Sequence, residues 1–149
     1  MKNIIIASAI SFLAATASAE SATEYATCES GLKAVYECAA DPDATNEATQ
    51  ALSMVSAITV CEPSEYEGTL EERTLFVKNK QGYNYKLSNT VVARNVGATV
   101  YTANINRSYS LKVVFGTRRP HDKALRKVTA IFEKFNGATV DVAFYCKVN

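Results

Sequence analysis

Apolar residues recur at every second position along much of this chain. The clearest run is the last, Ala138 to Val148. There Val140, Val142, Phe144, Cys146 and Val148 share one parity, while Thr139, Asp141, Ala143, Tyr145 and Lys147 share the other. Successive strand side chains point to opposite faces, so this period predicts a strand with one buried face, Cys146 included. The run before it, from Arg126, carries Val128, Ala130 and Phe132 on one parity. The two runs flank Phe135-Asn136-Gly137, a hairpin signal.

Register selects the loop. A two-residue Asn136-Gly137 turn sets Val140, Val142 and Phe144 against Glu133, Ile131 and Thr129, which mixes the faces. A three-residue loop, Phe135-Asn136-Gly137, sets them against Phe132, Ala130 and Val128. It also puts Gly137 third, where a bulge turn needs the left-handed conformation. One register step exchanges the faces, so the three-residue loop is expected. A helix over 122–135 competes, since Ala124, Leu125, Val128, Ile131, Phe132 and Phe135 also fit a helical period. The adjacent Val128, Thr129 and Ile131 favour the strand.

The same reading places earlier strands. Leu32, Ala34, Tyr36 and Cys38 alternate with Lys33, Val35 and Glu37, giving a first strand with Cys38 facing in. Leu52, Met54, Ile58 and Val60 share a parity and suggest a second strand ending at Cys61, since a helix over 45–56 lacks a clean apolar stripe. Leu75-Phe76-Val77 and Tyr83 to Leu87 flank Asn79 to Gly82 as a hairpin. Val91 to Val96 turns at Gly97 into Ala98 to Ile105, and Asn106-Arg107-Ser108 turns the chain into Tyr109 to Phe115. The expected fold is all-β: an antiparallel meander of about eight strands, as a small closed barrel or a sandwich. Leu32, Tyr36, Val113 and Phe144 are expected to line the interior, which eight strands leave either packed or hollow.

The start of the chain departs from this pattern. Lys2, the apolar run Ile4 to Ala15 and Ala17-Ser18-Ala19 read as a secretory signal over residues 1–19, too short to span a bilayer. The remaining 130 residues, from Glu20, are expected to form one exported β-domain, periplasmic or extracellular, with no integral membrane association. Its first residues, Glu20 to Thr27, read as a loosely held polar segment.

Export to an oxidising compartment makes two disulfides the expectation for Cys28, Cys38, Cys61 and Cys146. If the first two strands pair as a hairpin, Cys28 and Cys61 meet at its open end, leaving Cys38 to bond Cys146. Cys28–Cys38 with Cys61–Cys146 is the rival pairing. The cysteine spacing fits no metal site and His121 is the single histidine, so no metal and no cofactor are expected.

Charge is divided along the chain. Residues 20–72 hold twelve acids and one base, a net of −11, and residues 73–149 hold fourteen bases and three acids, a net of +11. The sum is zero, which argues against nucleic acid as a partner. The halves either pair at the surface or serve assembly between molecules.

Candidate chemistry is sparse. Arg118, Arg119, Lys123, Arg126 and Lys127 make the densest cationic stretch, a possible anion site using the forked donors of arginine. Tyr83, Tyr85, Tyr101, Tyr109 and Tyr145 could stack on sugar rings or bases, or simply cover a sheet. Asp41 and Asp43 hint at calcium without the rest of an EF-hand loop. Asn106-Arg107-Ser108 is a glycosylation sequon. One histidine argues against a Ser-His-Asp arrangement, and the chain is expected not to be an enzyme. The leading reading is a non-catalytic binding protein for a small molecule, an anion or a protein partner. An assembly module using the oppositely charged halves is the alternative. A hydrolase built on Glu62, Glu65, Glu67, Glu71 and Glu72 is the third reading.

Overall fold

The closing hairpin forms in the expected register. The computed structural model describes residues 24–43, 49–116 and 125–149. Within it, Arg126–Lys134 and Thr139–Val148 are antiparallel strands with Val128, Ala130 and Phe132 opposite Phe144, Val142 and Val140. Gly137 has φ 87° and its N–H bonds the Lys134 carbonyl at 2.9 Å, the left-handed step of the three-residue loop. The competing helix is thereby excluded over residues 126–135.

Seven further strands precede the hairpin. They are β1 (Leu32–Ala40), β2 (Ala57–Pro63), β3 (Thr74–Lys78), β4 (Asn84–Lys86), β5 (Ser88–Asn95), β6 (Ala98–Asn104) and β7 (Tyr109–Gly116). The hairpin strands are then β8 and β9. All join one antiparallel sheet in the order β4-β3-β2-β1-β9-β8-β7-β6-β5. Because β1 pairs with β9, the meander returns on itself as a nearly closed barrel. Its two edges, β4 and β5, are consecutive in the chain and separated by Leu87 alone, so 84–95 is one run that leaves β3 and joins β6. Eight walls result, as the alternation predicts.

The interior is filled by side chains. Tyr101, Phe132, Phe144, Ile58, Leu75, Leu111 and Val113, from six strands, are at most 2% exposed and belong to one apolar cluster. Burying each large side chain is worth about 1.5–3 kcal/mol. Outward positions carry Lys112, Lys127, Asp141 and Lys147, all exposed. Among the described residues no helix is long and apolar enough to cross a membrane.

Both disulfides match the expected pairing, Cys28–Cys61 and Cys38–Cys146, and they lie on opposite faces of the sheet. Cys38 and Cys146 sit in the interior cluster. Cys61 belongs to a smaller outer cluster with Ala26 and Phe76. Two disulfides suit an oxidising, exported environment.

Three expectations are corrected. The second strand does not begin at Leu52: Thr49–Met54 is a helix, α1, and β2 starts at Ala57. Gln50, Ala51, Leu52 and Met54 favour a helix, and the β-branched run begins only at Ile58. Ala51 and Val55, one turn apart, are buried at 5% and 0% and join the interior cluster.

Leu32 does not line the interior. A bulge between Ala34 and Tyr36 shifts the β1–β2 register, so Ala34 faces Cys61 whereas Tyr36 faces Val60. The inserted residue exchanges faces. Leu32 therefore packs on the outer cluster, while Tyr36, Val113 and Phe144 keep to the interior.

Of the segment expected to be loose, Glu20 to Thr27, the described residues 24–27 are held. Thr59 Oγ1 donates to the Ala26 carbonyl at 2.7 Å. The Asn84 amide bonds both the N–H and the carbonyl of Thr27, at 2.7 and 2.9 Å. Residues 1–19, the expected signal, lie outside the described residues.

Candidate functional site

At the end of the barrel where β1 begins, the strand ends deliver aromatic and charged groups to one place. The β1 bulge turns Tyr36 inward, and the β7 alternation of Leu111, Val113 and Phe115 delivers Phe115 beside it. The two rings stack with centroids 4.5 Å apart. Tyr101 of β6 meets Phe115 edge-on at 5.5 Å. Both arrangements suit the ring quadrupole.

A polar chain continues from Tyr101. Arg73 Nη1 donates to the Tyr101 hydroxyl at 2.8 Å, and Arg73 Nε bonds Glu62 Oε2 at 3.2 Å. Lys33 Nζ stands 3.5 Å from Glu62 Oε1. Burial opposes the Arg73 charge, but the Tyr101 hydroxyl and the Glu62 carboxylate outweigh it and raise the pKa. Burial pushes the Tyr101 hydroxyl up, and Arg73 pulls it part of the way back.

Beside this stack is an opening of about 270 Å³ lined by Tyr36, Phe115, Arg94, Thr99, Gly116 and Arg126, among others. Arg126, the first residue of β8, donates from Nη2 to the Gly116 carbonyl at 2.7 Å, which fixes its guanidinium at the rim. Arg94 comes from the end of β5 and is exposed. Among the described residues no carboxylate lines this opening.

Of the expected cationic cluster, Arg126 and Lys127 are among the described residues. Arg126 lies in the opening. Lys127, opposite Tyr145, points outward and does not line it. Arg118, Arg119 and Lys123 lie outside the described residues. Arg94 was not in the expected set, because it stands alone in sequence and only the β5–β6 turn brings it here.

A second opening, of about 560 Å³, lies at the opposite end, where Asn104, Tyr109, Glu133, Lys134 and Phe135 meet. Its charges are of both signs. Lys134 Nζ stands 5.8 Å from the centre of the Tyr109 ring. The sequon residue Asn106 also lines it. Its Oδ1 accepts from the N–H groups of Ser108 and Tyr109 at 2.8 and 2.9 Å, so the side chain organises the turn.

The remaining candidates are not brought together. Tyr101 is buried inside and Tyr145 is on the outer face, so the five tyrosines form no common platform. Tyr85 donates its hydroxyl to the Met54 carbonyl at 3.0 Å. Asp41 Oδ1 accepts from the Asp43 N–H at 2.9 Å, a local turn. Among the described residues no group of three or more His, Cys, Asp or Glu is placed to hold a metal. Glu72 accepts from the Thr69 N–H and the Tyr66 hydroxyl, both at 2.8 Å, and these bonds hold its carboxyl below the usual range. A general acid in glycoside hydrolysis requires the opposite shift.

Three of the four ion pairs between described residues join the acidic half of the sequence to the basic half: Arg73–Glu62, Lys78–Glu24 and Lys147–Glu37. Part of the charge division is therefore met within one molecule. No protein-family model matches the chain, and neither a curated protein nor a solved structure is significantly similar to it.

Proposed function

We propose that this chain is an exported, non-catalytic binding domain that takes a small anionic ligand with a flat ring at the Tyr36–Phe115 opening. The observation that carries this reading is that Arg94 and Arg126 both line an opening beside a stacked aromatic pair, with no carboxylate among its described lining residues. Guanidinium groups without an acidic partner attract a carboxylate or sulfonate, and their fork geometry orients it. Tyr36 supplies an edge against which a ring packs. The opposite opening mixes Arg107 and Lys134 with Glu133, whose carboxylate competes with an anionic ligand for them.

The test is an NMR titration of the oxidised protein with benzoate, and with benzyl alcohol as the uncharged counterpart. Benzoate should shift the Arg94 and Arg126 side-chain resonances and the Tyr36 ring, and benzyl alcohol should bind much more weakly. Replacing either arginine by alanine should weaken benzoate binding by roughly tenfold, the scale of one charge-assisted hydrogen bond. Binding should also weaken as salt rises from about 0.05 to about 0.5 M and the Debye length falls from roughly 14 to roughly 4 Å. Equal affinity for the two probes, or no response at this opening, would remove the proposal.

A further inference from the structure

Asn136 is the one asparagine in the chain that glycine follows. In such a pair the side-chain amide can react with the next backbone nitrogen. Glycine has no side chain, so its nitrogen reaches the asparagine Cγ without obstruction. The Gly137 nitrogen gives up its proton to solvent and attacks Cγ of Asn136. An N–Cγ bond forms, the Cγ–Nδ2 bond breaks, and Nδ2 leaves as ammonia with a proton from water. Water then opens the cyclic imide at either carbonyl, giving aspartate or isoaspartate. The reaction consumes one water and needs neither oxidant nor reductant.

The loop leaves room for this chemistry. Asn136 and Gly137 are both exposed, and where a Cβ on Gly137 would stand no heavy atom beyond its chain neighbours lies within 4 Å. Space and water therefore do not limit the reaction, but hydrogen bonds do. The Gly137 N–H, source of the nucleophile, donates to the Lys134 carbonyl at 2.9 Å. Asn136 Oδ1 accepts from the Ala138 N–H at 3.1 Å, which fixes the side chain. The Lys134 N–H closes the base of the loop on the Ala138 carbonyl at 2.8 Å. The loop is also tied to the neighbouring turn, since the Phe135 N–H donates to the Ser108 carbonyl at 3.0 Å. Ser108 is itself held by Asn106, whose Oδ1 accepts from the Ser108 and Tyr109 N–H groups.

A bonded amide reacts through the fraction of molecules in which its bond is open, as in hydrogen exchange. We propose that Asn136 is a site of spontaneous deamidation whose rate is set by opening of the β8–β9 loop, and that Asn106 in the neighbouring turn holds that loop shut. The two products differ in effect. Aspartate keeps an oxygen for the Ala138 N–H and adds only a negative charge. Isoaspartate also inserts a methylene into the backbone of a loop whose length sets the β8–β9 register, so it destabilises the hairpin. Either product sets a new carboxylate next to Phe135, in the lining of the opening of about 560 Å³. The site shares no residue with the Arg94–Arg126 opening.

The test incubates the oxidised protein at mildly alkaline pH, folded and in enough urea to unfold it. Chromatography with mass spectrometry separates the asparagine, aspartate and isoaspartate forms of the peptide containing residue 136. Deamidation there should be at least roughly tenfold slower in the folded protein, the factor that one hydrogen bond supplies. Hydrogen exchange at the Gly137 N–H measures the open fraction independently, and that fraction should match the ratio of folded to unfolded rates. Asn106→Ala should speed the folded reaction severalfold and leave the unfolded rate unchanged. Asn106→Asp keeps the acceptor oxygen and should stay near wild type. Equal folded and unfolded rates, or a folded reaction much faster than the open fraction allows, would overturn control by loop opening. A folded Asn106→Ala protein that deamidates at the wild-type rate would overturn the part given to Asn106.

Discussion

Cys38 lies directly across the β1–β9 ladder from Cys146, with the two Cα atoms 4.0 Å apart. These strands are the first and last of the meander, so the bond fastens the barrel where the chain closes on itself. Its partners are 108 residues apart in sequence, against 33 for Cys28 and Cys61. The chain-entropy relation gives about 5 kcal/mol for the longer loop and about 4 kcal/mol for the shorter. C38A/C146A should therefore lower the unfolding free energy more than C28A/C61A. The two lost side chains of Cys38 and Cys146, both 0% exposed, add a cavity to the loss. Urea denaturation of both double variants without reductant checks the order. A larger loss for C28A/C61A would show that the outer cluster, and not ring closure, dominates.

Phe144 and Phe135 sit nine positions apart in one hairpin and should respond very differently to truncation. Phe144 is 0% exposed in the interior cluster, and Phe135 is 91% exposed on the loop. Phe144→Ala should cost about 3–5 kcal/mol through lost transfer energy and a residual cavity. Phe135→Ala should change stability by no more than about 0.5 kcal/mol, as surface substitutions do. Urea midpoints of the two variants measure the contrast.

The hairpin was legible because alternation and loop chemistry agreed: Val140, Val142 and Phe144 find apolar partners in one register only, and Gly137 fits that loop. Strand order likewise favoured the observed cysteine pairing over its rival, Cys28–Cys38 with Cys61–Cys146. What escaped the sequence were the places where the period breaks. The bulge before Tyr36 reverses the faces of β1, so simple parity puts Leu32 inside when it lies outside. Ala51 and Val55 are too few to announce a helix, yet they close on the core. Arg94 and Arg126 meet through turns between distant strands, whereas sequence clustering linked Arg126 to Lys127, which faces away.

Thr59 is the one buried polar residue in the described part of the sheet, at 0% exposure, and its hydroxyl bonds the Ala26 carbonyl at 2.7 Å. Thr59→Val keeps the shape and removes the donor, leaving that carbonyl without this partner. A cost of about 1–3 kcal/mol is expected, with Thr59→Ser losing less. Residues 24–31 should also open more readily. Hydrogen exchange at Thr27, whose N–H bonds Asn84 Oδ1, reports this opening directly. Unchanged protection there in Thr59→Val would mean that Cys28–Cys61 and Asn84 hold the segment without the hydroxyl.

Alkaline pH should loosen the barrel through Tyr101. Burial raises the pKa of its hydroxyl above the ordinary 10.0, and burial does the same to Tyr85. A raised pKa means that the folded state keeps its proton at a pH where the unfolded chain has lost it. The contribution to stability is complete below about pH 10 and is lost as pH climbs from there through the folded-state pKa. Tyr101→Phe removes the ionising group and should flatten part of this decline, leaving the part due to Tyr85. It also takes the acceptor from Arg73 Nη1, so at neutral pH the variant should be less stable by about 1–3 kcal/mol. Urea midpoints in steps from neutral to strongly alkaline pH separate the two effects. The wild-type and Tyr101→Phe curves should converge as pH rises. Curves that stay parallel would show that the hydroxyl acts only as the partner of Arg73, and that its ionisation is not coupled to folding.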